Sequence, residues 1–441
     1  MNGTDRVIQF IMHTEWDSLP AEVQHQSRRC LLDALGALIA GCQTPLGGIM
    51  AEFATQCYGG AESTLLAGGR RVSAPGAALA NGFAANALDL DDGHRLVKGH
   101  PGSCLLPVLL AATEQRGILS GSDFLTTFII GYEVAIRAGL IRHALYTPMH
   151  SSGSWGAIAG AGVAGKIMGL NAGGLRHALG IAEHHAPVTP VMKAVDKPCM
   201  AKDGIGWGAM VGIASAMMAQ RGFTGIEPLF SESPEPTWIT NLGEQYEVMR
   251  LYFKPYACCR WAQPAIVAAL QLKRQYGLTP GDIKHIRVKT FAEAARLSRV
   301  HPVDSDSAQY NLAYPLAAAL VDGELGPRQV LPPRIFDSAI LELADRVEVE
   351  AVAEYMRAFP QKTYADVELH LCDGRVIGVQ GQQPLWEWPD SPPSDADLER
   401  KFISLVDPIL GARAAELVDM IWGFEQLADA RRVIQLCVDT P

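Results

Sequence analysis

Residues 86–102 read Asn-Ala-Leu-Asp-Leu-Asp-Asp-Gly-His-Arg-Leu-Val-Lys-Gly-His-Pro-Gly. Asp89, Asp91, Asp92, His94, Arg95, Lys98 and His100 fall within twelve residues, between apolar, Ala/Leu-rich segments. Such a polar cluster between core helices must pair its charges, bind something with them, or move protons. The pattern predicts loops carrying chemistry on a rigid helical scaffold.

Working outward, the first two-thirds of the chain reads as successive helices. Residues 20–40 start at Pro20, carry Val23, Leu31, Leu32, Leu35 and Leu38 at helical spacing, and stop at Gly41. Residues 104–115, 122–145, 156–168, 173–184 and 205–221 repeat the pattern, with strand signals nearly absent. Beyond about residue 280 the texture changes. Segments 283–290, 346–350, 367–372 and 375–379 read as strands, and Asp373-Gly374 marks a hairpin. Helix 311–321 lies among them. A Pro-rich break near 384–393 precedes helices at 395–410 and 413–440. The expected fold is mainly α: a large all-α helical domain (1–265 together with 400–441) plus a smaller α+β domain (266–399).

The 441 residues exceed one typical core. With 48% hydrophobic and 19% charged residues, the composition is that of a globular protein. A net charge of −10 and the lack of a basic block argue against nucleic-acid and anionic-membrane surfaces. Nine scattered cysteines without a Cys-x-x-Cys pair suit reduced thiols. The N-terminus lacks a signal-peptide layout, so a cytoplasmic protein is expected.

Two motifs mislead. Gly160-Ala-Gly-Val-Ala-Gly165 matches a dinucleotide fingerprint, but its preceding residues read as helix, not strand. Small residues for close helix contact explain it better. Asp89-x-Asp91-Asp92 permits a metal-dependent lyase or cyclase, although no second carboxylate motif accompanies it. The remaining polar candidates are His100 and His150, each just before a helix, then Lys197, Lys202, Lys254 and Tyr314.

Taken together, several segments resemble the MmgE/PrpD superfamily, whose members include 2-methylcitrate dehydratase, cis-aconitate decarboxylase and iminodisuccinate epimerase. They include Leu31-Leu-Asp-Ala-Leu-Gly36, Ala87-Leu-Asp-Leu-Asp-Asp92 with His100-Pro101, Lys197-Pro198, Phe253-Lys-Pro-Tyr256 and Asn311-Leu-Ala-Tyr314. The resemblance implies a homodimer that needs no organic cofactor or metal. It places functional groups at Asp89, His100, His150, Lys197, Lys254 and Tyr314. The chain departs from the decarboxylase pattern at Gly93 (where that pattern has Thr), at Cys259 (where it has His) and over 202–208.

The implied activity is proton abstraction next to a carboxylate of a small di- or tricarboxylate, most simply in a dehydratase-type lyase. Asp89 would orient His100, which moves the proton. Lys197 and Lys254 would hold carboxylates and offset the developing charge, with Lys202 and Arg260 as further anion-binding candidates. In an epimerase, Tyr146 and Lys197 would instead serve as opposed acid and base.

Overall fold

The computed structural model describes residues 2–147, 149–297 and 299–438. The expected helices are present. Ala21–Gly41 follows Pro20, its N-cap; it buries one face at Val23, Gln26 and Ser27 and is enclosed all round from Cys30 to Gly41. Pro101–Arg116, Gly121–Leu145, Ser152–Ile167, Ala172–His185 and Ile205–Gln220 pack around one another. Gly121–Leu145 is long and apolar enough to cross a membrane, but it is almost wholly buried inside the protein.

Ser152–Ile167 contains the glycine-rich motif in mid-helix, not in a phosphate-binding turn. A Cβ on Gly212 would stand 3.0 Å from Gly160 Cα. The small residues therefore let Ile205–Gln220 cross at backbone contact.

The second texture forms a four-stranded sheet in the order Val347–Ala351, Ile283–Thr290, Ala365–Leu371, Val376–Gln382. The first pair is parallel, and the other two are antiparallel. Val288 stands opposite both Val349 and Val367, which fixes the register. Helix Gln263–Tyr276 packs on the two antiparallel strands and on helix Ala313–Asp322.

After the Pro-rich break, Asp395–Leu410 packs against Ala21–Gly41 through Leu398, Phe402, Leu405 and Val406. Lys401 Nζ donates to Asp33 Oδ1 at 2.5 Å across that contact. The expected helix 413–440 is split by Gly423 into Arg413–Trp422 and Arg432–Val438, and residues 439–441 lie outside the described residues. Phe424, in the break, sits 5.0 Å from the Phe124 ring. Buried apolar residues of the helical and sheet regions form one continuous cluster, so no gap in the core separates them.

Very short strands escaped the sequence reading. One pair matters for the site: Gly93–His94 with Leu251–Tyr252, antiparallel, with Gly93 opposite Tyr252. It ties the Asp-rich loop to the segment carrying Lys254.

Candidate active site

Helix Ala74–Ala85 ends at Asn86, and the Asp-rich loop follows. Asn86 Nδ2 donates to Asp91 Oδ1 at 2.9 Å, so the helix cap holds the loop. Asp89 has a positive φ of 51°, strained for a residue with a side chain. The loop closes at His100, which precedes Pro101 at the start of Pro101–Arg116. The Ser152 hydroxyl accepts from the His100 N–H at 3.0 Å and donates to Asp203 Oδ2 at 2.9 Å. Two helix starts and a third loop thus meet at one serine.

The His100 ring is gripped on both edges. Nδ1 donates to the Asp92 carbonyl at 2.8 Å and lies 3.2 Å from Asp91 Oδ2. Nε2 is 3.4 Å from Asp89 Oδ1 and 4.0 Å from Asp203 Oδ2. Burial alone would lower its pKa, but Asp91 and Asp89 outweigh burial and raise it to about 9. His100 is therefore an imidazolium near neutral pH. Burial alone would raise the Asp91 carboxyl, yet His100 holds it below the usual range. Asp92 faces away, accepting from the Tyr132 hydroxyl and the Gly102 N–H, and burial raises it to about 7.

Lys254 Nζ donates to Asp89 Oδ1 at 2.5 Å and to the Asp89 carbonyl at 3.1 Å. Arg260 bonds Glu387 Oε2 at 2.9 Å and stacks its guanidinium 4.4 Å from the Tyr252 ring centre. Arg95 approaches the other Glu387 oxygen at 3.4 Å. These groups line a cleft of about 580 Å³ that opens to solvent, together with Lys98, Asp203, Cys259 and Tyr310.

Of the sequence candidates, Asp89, His100, Lys254 and Arg260 line this cleft. The others do not. His150 is buried beside Pro190, next to His143, and its Nδ1 has no hydrogen-bond partner among the described residues. Lys197 is exposed at the end of helix Met192–Asp196, and Tyr146 is 48% exposed. That pair is not set in opposition across the cleft. Lys202 is buried, but its ammonium is consumed by the Asn86 and Ala87 carbonyls at 2.9 Å and Gln309 Oε1 at 2.6 Å. It locks the loop and does not line the cleft. Tyr314 is buried too, with its hydroxyl donating to the Gln329 carbonyl at 2.5 Å.

The sequence reading did not single out Asp203, Lys98, Tyr252 or Tyr310 as site residues. Asp203 and Lys98 stood within quoted motifs, so proximity to the candidates was an available signal. Tyr252 opens the Tyr252-Phe-Lys-Pro-Tyr256 stretch around Lys254 and had the same signal, whereas Tyr310 had none. Asp203 is 3% exposed, and burial raises its pKa. Only its Oδ2 receives a hydrogen bond among the described residues. Lys98 is half-buried, reaches only the Leu96 carbonyl at 3.4 Å, and has no carboxylate partner among the described residues.

One atom each from Asp89, Asp91 and His100 lies within 4.8 Å of the others, a spacing compatible with a metal. The donor chemistry fits poorly. Asp89 already holds an ammonium, Asp91 accepts from Ser103 and Asn86, and His100 carries a proton toward both.

A cis-aconitate decarboxylase-like protein, oryM, of Aspergillus oryzae is 24% identical over 99% of this chain and 97% of its own length. A cis-aconitate decarboxylase of Aspergillus terreus is 23% identical over 98% and 95%. Family models for the MmgE/PrpD N-terminal and C-terminal domains match residues 5–237 and 256–425, so the chain belongs to the MmgE/PrpD family.

Proposed function

We propose that this protein is a lyase acting on a small di- or tricarboxylate by removing and returning a proton next to a carboxylate, without an organic cofactor. One observation carries the reading: a protonated histidine and a carboxylate with a free oxygen face one cleft that also holds an unpaired lysine. His100 and Asp203 both have pKa values raised from their ordinary range. That makes His100 an acid and Asp203 a better base at neutral pH. Lys98 supplies a charge for a substrate carboxylate.

In a dehydration, the C–H proton passes to Asp203 and the C–O bond breaks. His100 then protonates the departing hydroxide, giving water. In a decarboxylation, the chemistry for which the Aspergillus relatives are named, carbon dioxide leaves and His100 protonates the carbanion left behind. The buried Asp89–Lys254 pair fixes the loop and contributes a preorganised field.

The reading includes a homodimer in the cytoplasm, by family resemblance. A monomer mass in solution at micromolar concentration would refute the dimer. The function is tested by incubating a panel of di- and tricarboxylates with the protein in D₂O and following α-proton exchange and product by NMR. Exchange with at least one acid, undiminished by a chelator, is expected. No exchange and no product with any acid would sink the proposal, and loss of activity on chelation would favour a metal at the Asp cluster instead.

A further inference from the structure

We propose that the Tyr252 hydroxyl is a substrate-contacting hydrogen-bond donor in this cleft, admitted there by the missing side chain of Gly93. The inference rests on the carboxylate-binding reading and adds a residue to it.

Tyr252 ends a two-residue strand whose partner residue is Gly93. The hydroxyl end of its ring lies against that glycine. A Cβ on residue 93 would stand 2.3 Å from both Tyr252 Cζ and the hydroxyl oxygen, too close for any side chain. The next residue in the chain before Gly93 is Asp92, so the phenol is seated on the backbone of the Asp-rich loop. The Arg260 guanidinium stacks over the ring, 4.4 Å from its centre. Packed against Gly93 and Arg260, Tyr252 lines the cleft.

Tyr252 is 5% exposed, and its hydroxyl makes no hydrogen bond among the described residues but is not sealed from solvent. Buried phenols ordinarily find a partner. Tyr132, behind the Asp-rich loop, donates to Asp92, whereas Tyr310, the other tyrosine lining the cleft, resembles Tyr252 in having no hydroxyl partner among the described residues. Among the described residues it bonds neither Asp89 nor Glu387, whose Oδ1 and Oε2 hold Lys254 and Arg260. The free partner position therefore belongs to whatever occupies the cleft.

Burial raises the phenol's pKa well above its ordinary value, against the pull of Lys254 and Arg260. The O–H stays protonated and can only gain by meeting an acceptor. Beside two cations, that acceptor is an anionic oxygen. Tyr252 and Lys98 together would then grip a substrate carboxylate, one by a directed hydrogen bond and the other by charge.

Tyr252→Phe keeps the ring over Gly93 and under Arg260 and removes only the hydroxyl. Citrate and tricarballylate are the probes, with affinity measured by titration calorimetry and turnover measured on the acid found in the exchange screen. We expect Tyr252→Phe to weaken at least one probe about tenfold or more, the scale of a lost hydrogen bond to a charged group, with an unchanged thermal midpoint. Gly93→Ala, which displaces the ring, should weaken it at least as much, and the double variant should add nothing further. Binding within twofold of the unmodified protein in Tyr252→Phe overturns this inference alone. Probe binding that is sensitive to Tyr252→Phe but is never accompanied by exchange or turnover upholds it and overturns the lyase reading. Failure of the unmodified protein to bind either probe overturns this inference, while exchange with another acid would leave the lyase reading standing.

Discussion

Lys254 Nζ and Asp89 Oδ1 lie 2.5 Å apart, both side chains almost completely buried, although 165 residues separate them in the chain. Lys254 was expected to hold a substrate carboxylate and offset the developing charge. Its pairing changes the expectation. Lys254→Met would leave a buried carboxylate without its counter-charge, costing about 3–5 kcal/mol. Chemical denaturation should show that loss along with loss of turnover. Adding Asp89→Asn should restore much of the stability but not the activity. A stable Lys254→Met protein with only a raised KM would refute the pairing.

His100 should set both the upper pH limit of activity and part of the stability profile. Its folded pKa of about 9 exceeds the ordinary 6.5. Its stabilising contribution is therefore present in full below about 6.5 and is lost as pH rises through about 9. Asp92, raised from 3.8 to about 7, loses its own contribution lower, between those values. Thermal midpoints should fall from pH 7 to 10 in the unmodified protein and fall less steeply in His100→Gln. Turnover should decline above about pH 9. His100→Ala should lower it about 10²-fold or more, the usual scale for a lost acid. An unchanged pH profile in His100→Gln would show that another group titrates.

The lysines separate by environment. Lys98 lines the cleft without a carboxylate partner among the described residues, whereas Lys197 is exposed outside it. Lys98→Met should lower kcat/KM by about one to two decades, as for a lost charge-assisted contact. Lys197→Met and Tyr146→Phe should each change it by less than about twofold. Steady-state kinetics on a single substrate decides the matter, and a large effect of Lys197→Met would mean that the segment 192–198 closes over the cleft during turnover.

Tyr314 and Asp203 test the division between support and chemistry. Tyr314→Phe removes one buried hydrogen bond to Gln329 and should cost about 1 kcal/mol of stability with turnover unchanged. Asp203→Asn keeps the shape and the Ser152 contact but loses the base. It should abolish α-proton exchange in D₂O with little change in thermal midpoint. Exchange at a normal rate in Asp203→Asn would send the search for the base elsewhere in the cleft.

Apolar runs and their punctuation placed Ala21–Gly41, Pro101–Arg116, Gly121–Leu145, Ser152–Ile167, Ala172–His185, Ile205–Gln220 and the four strands of the sheet, but not Gly3–His13, Pro45–Cys57 or Ala74–Ala85. The Asp-rich loop was equally legible, since charges are conspicuous between apolar helices. Spacing could not say which charges neutralise one another. Lys197 and Lys202 stand five residues apart in similar surroundings, yet one is exposed and the other is spent on three loop oxygens. Tyr310 and Tyr314 lie one helical turn apart in number, but the junction between helices Ser305–Gln309 and Ala313–Asp322 sends the first to the cleft and the second to Gln329. Tyr252 stands two residues before Lys254, but its pairing with Gly93 was illegible, because a two-residue strand has no period to read. The sequence by itself determined the elements, the family resemblance and the loop that carries charge. Only the tertiary structure decided which of those charges remain unpaired, because a side chain's pKa and its freedom to bind depend on neighbours supplied by distant parts of the chain.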